Sequence, residues 1–275
     1  MTTSAGHRLH YVDFGRGLPV VLLHGHPTWG FYYRDLVPLL ATTVHRTITV
    51  DQIGYGLSDH PQDWDYHLAG HIQNFTALVD DHLKLPRFDL VMQGWGNIIG
   101  LNYAIAHPDR IRRIVLLNST TFPKFLPKGY SLLRLPVIGK MLAQSHRYLM
   151  QNLAGNHVRH LPKIVARAYL APYDNPEERT VMSRFIDDLP FSKKHPSWEL
   201  YHNIEAGIER IAKKPFLILW GERDSIVPME VFYHWKDLVP NALALSFPNA
   251  GHLLLEDEST EANALIARFL VPRRC

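Results

Sequence analysis

Cysteine is almost absent from this sequence, since the 275 residues include a single one, Cys275, at the last position. A lone cysteine excludes a disulfide within the chain, and none of the 17 histidines belongs to a set with zinc-ligand spacing. No stretch of about 18 unbroken apolar residues occurs. The first residues, Met1 to Gly6, lack the charged and apolar regions of a signal peptide. We therefore expect a soluble, cytoplasmic protein without an integral membrane segment, a metal ion or an organic cofactor.

Strong charge of one sign is lacking as well. The formal net charge is +3, from 29 Lys and Arg residues and 26 Asp and Glu residues, and the basic residues form no run of five or more. A nucleic acid is therefore not an expected partner. Hydrophobic residues make up 46% of the chain, which at this length fills the core of one large domain with an insertion.

Short β-branched runs alternate with longer segments of helical periodicity, which indicates βαβ units and a mainly parallel sheet. The expected strands are Leu9–Phe14, Pro19–Leu23, Thr47–Val50, Phe88–Met92, Ile111–Leu117, Phe216–Trp220 and Ala242–Phe247. The expected helices of the core are Arg34–Leu40, Tyr66–Leu85, Gly96–His107 and Ser259–Leu270. This α/β pattern is interrupted once.

The interruption is the segment 121–210, which has no buried-strand run and whose helical pattern is broken by prolines. Long apolar and aromatic residues are frequent in it, and they include Phe125, Tyr130, Tyr148, Met150, Tyr169, Tyr173, Phe185 and Phe191. We interpret the segment as a helical cap over an apolar pocket, although packing of the cap on the core accounts for at least half of these side chains. The expected organisation is an α/β core, residues 1–120 and 211–275, with a cap at 121–210.

Gly94 lies in a glycine-rich turn, VMQGWGN, between an expected strand and an expected helix. Enzymes with an α/β-hydrolase fold place their nucleophile on such a turn, with small residues beside it. The turn by itself is a weak signal. It becomes a strong one because an acid and a histidine follow it in the chain order nucleophile, acid, histidine.

The histidine is His252, which follows the last expected strand in the turn NAGH, and the acid is Asp224 in GERD, just past the preceding strand. An imidazole there suits a general base, and a carboxylate there holds it in the required tautomer. The structural alternatives are a surface histidine and a turn or N-cap carboxylate. Asn118, at an earlier strand end, is an amide and cannot serve as the acid, which favours Asp224.

Two other turns follow strands. In the turn HGHPTW, residues 24–29, the backbone N–H of His26 is expected to form an oxyanion or anion hole with the N–H of Trp95. In the loop 51–59, glycines supply tight turns, and Asp51 and Ser58 are expected to bind the backbone. We assign that loop to structure rather than to chemistry.

With these residues in place, the chain resembles the haloalkane dehalogenases. The resemblance rests on HGHPTWGFYYR (24–34), DQIGYGLSD (51–59), GWGNIIGLNYAIAHPDRI (94–111), GERD (221–224) and AGH (250–252). The cap stretches YLAPYDNPEE (169–178) and LPFSKKHPSW (189–198) look most like relatives that act as β-lactone decarboxylases in bacterial long-chain olefin biosynthesis. The resemblance implies an α/β-hydrolase fold with a mostly parallel eight-stranded sheet, helices on both faces and a helical cap. It also implies that Trp95 stabilises an anion, His252 is the base and Asp224 orients it.

The chain departs from that pattern at two positions. Gly94 stands where the family has its aspartate nucleophile, and His26 stands where dehalogenases usually have an asparagine that binds halide. Neither Gln93 nor Asn97 replaces the carboxylate, because amides are poor nucleophiles. The ordinary two-step reaction on an apolar haloalkane or β-lactone is therefore blocked at its first step.

Three explanations of Gly94 are open. It could be an Asp-to-Gly knockout of such an enzyme, since glycine tolerates the strained turn. It could belong to a natural enzyme in which His252 and Asp224 activate water or remove a substrate proton directly. The third explanation is a non-catalytic binder of apolar ligands. An epoxide hydrolase also remains an alternative, because Tyr130, Tyr148, Tyr169 and Tyr173 are available as cap acids.

Overall fold

The computed structural model describes residues 1–119, 121–126, 133–135, 137–155 and 161–271. These residues form an α/β fold around one seven-stranded sheet, as the sequence predicts in class. The strands are β1 (Tyr11–Gly15), β2 (Leu18–Leu23), β3 (His45–Val50), β4 (Phe88–Gly94), β5 (Ile111–Ser119), β6 (Phe216–Gly221) and β7 (Leu243–Phe247). Their order is β1-β3-β2-β4-β5-β6-β7, and all neighbours are parallel except β1 and β3.

The described residues form seven strands where the family resemblance implies eight. The segment before β1 adds no strand because it turns back on itself. The Thr3 N–H donates to the His7 carbonyl at 2.8 Å, and the Gly6 N–H donates to the Thr3 carbonyl at 3.0 Å. This leaves room for a single antiparallel bridge, between Thr2 and Arg8.

All seven residues of β4, in the middle of the sheet, are buried, and so are all six of β6. Successive side chains of a strand point to opposite faces, so both faces of the sheet are covered at these strands. This explains why the central strands are near-continuous apolar runs that the sequence pattern marks well. The carboxyl ends of β2, β3, β4, β5 and β6 meet at one edge, which carries the residues described below.

The helices are α1 (Leu36–Ala41), α2 (Leu68–Thr76), α3 (Gly96–Ala106), α4 (Ile138–Ala143), α5 (His146–Gly155), α6 (Lys163–Leu170), α7 (Thr180–Asp187), α8 (Trp198–Gly207), α9 (Met229–Leu238), α10 (Leu254–Asp257) and α11 (Ser259–Leu270). A π-helical segment, Ala77–His82, continues α2. The single helix expected over Tyr66–Leu85 is therefore α-helical in its first part and π-helical in its second. It also starts later than expected, because Tyr66 has a φ of 58°.

Helices α4 to α8 lie in the segment between β5 and β6, where a cap is expected. Asp188, directly after α7, accepts hydrogen bonds from the Leu68 N–H at 2.9 Å and from the Ser197 hydroxyl at 2.6 Å. The first bond attaches the end of α7 to the start of α2, and the second attaches it to the residue before α8. The boundaries 121 and 210 stay predictions, and Thr120, Tyr130 and Cys275 lie outside the described residues.

Within the described part of the chain, no helix combines the length and the apolar character that crossing a bilayer requires. The same residues contain no group of three or more His, Cys, Asp or Glu side chains arranged to hold a metal ion.

Candidate active site

Gly94 ends β4, and α3 begins two residues later at Gly96. The φ of Gly94 is 51°, in the left-handed region that favours glycine. The Asn97 amide donates to the carbonyl oxygens of Gly94 at 3.0 Å and Leu117 at 3.3 Å, which holds the turn closed. The sharp strand-to-helix turn expected from the sequence is therefore present, and the Asn97 side chain is directed at the backbone.

The imidazole of His252 faces Gly94. A Cβ atom built on Gly94 would lie 3.3 Å from Nε2 of His252 and 3.5 Å from Cα of Gly25. The backbone of His252 is held by the Gln93 amide, which donates to its carbonyl oxygen at 3.3 Å. Any side chain at position 94 would thus point at the imidazole and pass along the turn that contains Gly25.

Asp224 and His252 form a buried pair. Their Oδ2 and Nδ1 atoms are 2.7 Å apart, and each side chain is at most 3% exposed. Oδ1 of Asp224 accepts from the N–H groups of Ile226 at 2.7 Å and Val227 at 2.9 Å. A carboxylate only accepts, so Nδ1 of His252 donates in this bond, and in a neutral imidazole the lone pair is then on Nε2, which faces Gly94. Asp224 therefore serves as the turn carboxylate and also orients the imidazole.

Asn118 completes the support of Asp224. Its amide nitrogen donates to Oδ2 of Asp224 at 2.7 Å, and its amide oxygen accepts from the Gly221 N–H at 3.1 Å. The residue is fully buried, with a φ of 38°. The sequence argument excluded Asn118 as the acid but did not identify it as the donor that holds the acid. Its position at a strand end, next to the end of β6, was the available signal.

His26 lies at the same edge and is buried. Its Nδ1 is 3.0 Å from the hydroxyl of Tyr55, and its ring stacks on Phe185 of α7 at a centroid distance of 4.0 Å. Its Nε2 has no hydrogen-bond partner among the described residues. Burial lowers the pKa of His26 to about 3, and the imidazoles of His24 and His252 add to that effect. His26 is therefore neutral at neutral pH.

Trp95 follows Gly94 and is 3% exposed. Its indole ring packs edge-on against His71 at 4.6 Å and against Phe185 at 5.4 Å between ring centroids. Burial raises the pKa of the Tyr201 phenol on α8 well above its usual value, and the Trp95 side chain partly opposes that rise. The side chain expected to steady an anion therefore lies in contact with the cap helix α7.

Two of the candidate cap tyrosines are held by the core. The Tyr169 hydroxyl donates to Oε1 of Glu256, a carboxylate that also makes a two-pronged ion pair with Arg34 at 2.6 and 2.7 Å. The Tyr173 hydroxyl accepts from the Gly56 N–H at 3.2 Å. These bonds engage both hydroxyls with residues of the core, which weakens their case as acids for an epoxide.

The loop 51–59 has the structural role that the sequence predicts. Asp51 accepts from the N–H groups of Gly30 at 2.8 Å and Leu57 at 3.0 Å, and the Ser58 hydroxyl donates to the Asp51 carbonyl at 2.6 Å. The loop also contributes Tyr55, the partner of His26. The loop therefore contacts the site through Tyr55, a contact that the sequence analysis did not predict.

Comparison with known proteins gives concordant results. Residues 19–259 match the family model of the alpha/beta hydrolase fold. A cis-3-alkyl-4-alkyloxetan-2-one decarboxylase from Shewanella oneidensis is 36% identical over 273 residues, which cover 96% of this chain and 86% of that protein. A haloalkane dehalogenase from Mycobacterium marinum is 32% identical over 92% of this chain and 86% of its own length.

Solved structures show the same fold. The crystal structure of a putative ancestral haloalkane dehalogenase superposes with a TM-score of 0.84 at 24% identity. The match covers 96% of this chain and 95% of the other. At that identity the likeness concerns the fold alone.

Proposed function

Because the chain belongs to the alpha/beta hydrolase family, in the group of the haloalkane dehalogenases and the cis-3-alkyl-4-alkyloxetan-2-one decarboxylases, we propose that its site is built for attack at a carbon atom of an apolar substrate. The substrate class is a β-lactone in preference to a haloalkane. The site needs no metal ion or organic cofactor. Gly94 leaves it without the carboxylate nucleophile, so that this chain binds such molecules but lacks the covalent first step.

The observation that carries the proposal is the 3.3 Å between Nε2 of His252 and a Cβ built on Gly94. In the parent reaction a carboxylate at position 94 attacks carbon and forms an ester, and an imidazole then takes a proton from the water that cleaves it. His252 and Asp224 have the arrangement that the second step needs. Only the group that performs the first step is missing.

The surroundings of the turn favour a lactone over a haloalkane. Displaced halide is a full anion, and binding it requires N–H donors that are free to point at it. His26 stands where dehalogenases usually have a halide-binding asparagine, and its neutral imidazole offers at most one N–H. A single neutral donor suits the carbonyl oxygen of a lactone. The 36% identical relative is named for an oxetan-2-one, which is a β-lactone.

The test compares the protein with the variants Gly94→Asp and Gly94→Asn on a cis-3,4-dialkyl oxetan-2-one. We expect the unchanged protein to bind the lactone, raising its melting temperature by mass action without turnover. Gly94→Asp is expected to consume the lactone: its carboxylate attacks the ring carbon and breaks the C–O bond to form an ester, and water activated by His252 cleaves that ester to release a β-hydroxy acid. Gly94→Asn has the same size and no nucleophile, so it stays inactive. Failure of Gly94→Asp to act on β-lactones, bromoalkanes and epoxides alike would refute the proposal.

The same distance favours a second candidate, in which His252 activates a water molecule directly. Nε2 of His252 faces position 94, which carries no side chain, and a water bound to Nε2 would attack the lactone carbonyl. The acyl C–O bond would break, and the proton taken by Nε2 would pass to the ring oxygen to give a β-hydroxy acid. Formation of that acid by the unchanged protein, and its loss in His252→Ala, would establish this reaction. Saturable binding with no product from any variant would instead indicate a binding protein.

A further inference from the structure

The first half of the segment 121–210 has an unusual distribution of charge. Positions 121–173 contain eight Lys and Arg residues and no Asp or Glu, although the whole chain has 26 acidic residues. Arg134, Lys140, Arg147, Lys163 and Arg167 belong to this stretch and are exposed. The exposed cations among its described residues therefore form a basic part of the surface, within a protein whose overall charge is nearly balanced.

The same stretch exposes large apolar side chains around α4. The group consists of Leu135 (46% exposed), Val137 (70%), Ile138 (61%), Met141 (69%) and Leu142 (45%), and we call it the α4 patch. Ile138, Met141 and Leu142 are three and four residues apart, so they share one side of the helix. A group of neighbouring apolar side chains on the surface usually marks an interaction site, whereas isolated ones do not.

Helix α4 is attached to the protein by its other side. Gly139 and Ala143 are buried, and a Cβ on Gly139 would lie 2.2 Å from the Leu133 carbonyl oxygen. The small residues thus face the protein, and the large apolar residues face outward. This is the reverse of an ordinary surface helix, whose apolar stripe faces the core.

We propose that the α4 patch attaches this protein peripherally to an anionic lipid surface. Apolar side chains on a short helix enter the boundary between headgroups and acyl chains, and Lys and Arg beside them are attracted to anionic headgroups. Arg134 and Lys140 flank or interrupt the patch, and no acid of the stretch 121–173 opposes them. Asp187 is an acidic group near both cations.

A second copy of the chain fits the patch less well. A symmetric contact would bring Arg134 and Lys140 of one copy against the same residues of the other, which is repulsive. An anionic bilayer supplies the opposite charge and accepts the apolar side chains. This inference does not rest on the proposed reaction, but it would bring the cap, whose Phe185 covers His26, to a source of alkyl molecules.

Cosedimentation with vesicles tests the inference. One set of vesicles contains phosphatidylglycerol and phosphatidylcholine, and the other contains phosphatidylcholine alone. We expect the protein to bind the anionic vesicles, to bind the neutral ones at least about tenfold more weakly, and to be released when NaCl rises from about 0.05 to about 0.5 M. Absence of binding to the anionic vesicles overturns the inference, whatever the variants do.

The double variant Ile138→Glu and Met141→Glu is expected to lose vesicle binding and to keep its circular dichroism spectrum, because both side chains are exposed. The matched control is Val44→Glu with Leu243→Glu, two apolar residues that are 57% and 52% exposed elsewhere. We expect the control to bind like the unchanged protein. Equal loss in both variants, or equal retention, overturns the role of the patch. A third outcome also overturns it. In that outcome light scattering shows that the unchanged protein is a dimer that does not bind vesicles, and the α4 variant, but not the control, is a monomer.

Discussion

His252 directs its Nε2 atom at Gly94, and a Cβ built on that glycine would lie 3.3 Å from Nε2. Each partner is set by its own strand end, Gly94 by β4 and His252 by the turn after β7. Because β4 and β7 belong to the same sheet, a side chain added at position 94 is directed at this imidazole.

Gly94→Ala should lower thermal stability for two reasons. The φ of 51° is strained for a residue with a Cβ, at about 1 kcal/mol, and the new Cβ meets Nε2 of His252 at 3.3 Å, closer than ordinary contact. Gly6→Ala is the matched control, because Gly6 has a φ of 85° and nothing within 4 Å of its Cβ position. Calorimetry should show a larger loss for Gly94→Ala. Equal losses would mean that His252 is not in contact with position 94.

His252→Ala, added to Gly94→Asp, should trap the covalent intermediate. Without the imidazole no base activates water, so an alkyl ester should remain on the introduced carboxylate and appear as a mass increase of that peptide. Loss of a general base typically costs about 10²–10⁴ in rate. Asp224 keeps three other hydrogen bonds, so the fold should survive. Steady turnover by the double variant would show that His252 is not the base.

Asn118→Ala should weaken both stability and any His252-dependent rate. It removes a donor from the buried Asp224 carboxylate and an acceptor from the Gly221 N–H, which we expect to cost about 1–3 kcal/mol of unfolding free energy. Asn118→Asp should be worse for activity, since it sets a second carboxylate beside Asp224. Urea unfolding together with a pH–rate profile measures both effects. An unchanged pH–rate profile in Asn118→Asp would show that the side chain at position 118 does not affect the His252 imidazole.

Phe185→Ala should raise the pKa of His26 from about 3 towards the usual 6.5, because the stacked ring supplies part of the burial that lowers it. The C2-proton shift of His26, followed by NMR from pH 4 to 8, measures this pKa. Phe191→Ala removes a different cap ring and is expected to leave the titration unchanged. A His26 pKa that is normal in the unchanged protein contradicts the prediction outright.

Acid should destabilise the protein through His71. Burial lowers its pKa to about 3, with a further contribution from His24, and neither ring nitrogen has a partner among the described residues. Between pH 6.5 and 3 the unfolded chain binds a proton here that the folded chain does not, so stability falls as the pH falls through that window. His71→Phe should flatten this part of the stability curve. Urea unfolding from pH 7 to 4 measures the free energy of unfolding of both proteins. If it falls equally with pH in both, His71 is not the cause of the acid destabilisation.

The strand-end residues were predictable, and their side-chain partners were not. Apolar runs mark β4, β6 and β7, and the ends of parallel strands share one edge, so Gly94, Asp224 and His252 could be grouped from the sequence. The hydrogen bond from Asn118 to Asp224 joins residues about a hundred positions apart. No local pattern encodes such a pair, because it depends on how strand ends pack. The expectation of an eighth strand was wrong for a local reason, because the chain before β1 makes a tight turn between Thr3 and His7.

The hydrogen bond from Tyr169 to Glu256 joins the cap helix α6 to α10, which begins two residues after His252. If α6 moves away from the core, Glu256 is left with Arg34 alone, and the segment that carries the imidazole loses one of its supports. The site would then be open to a ligand beneath α6 at the times when the His252 imidazole is less well supported, and it would be closed when the imidazole is fully supported. A bound molecule would therefore contact a fully ordered His252 only after α6 has returned to the core. Water that enters while α6 is displaced would contact a less ordered His252.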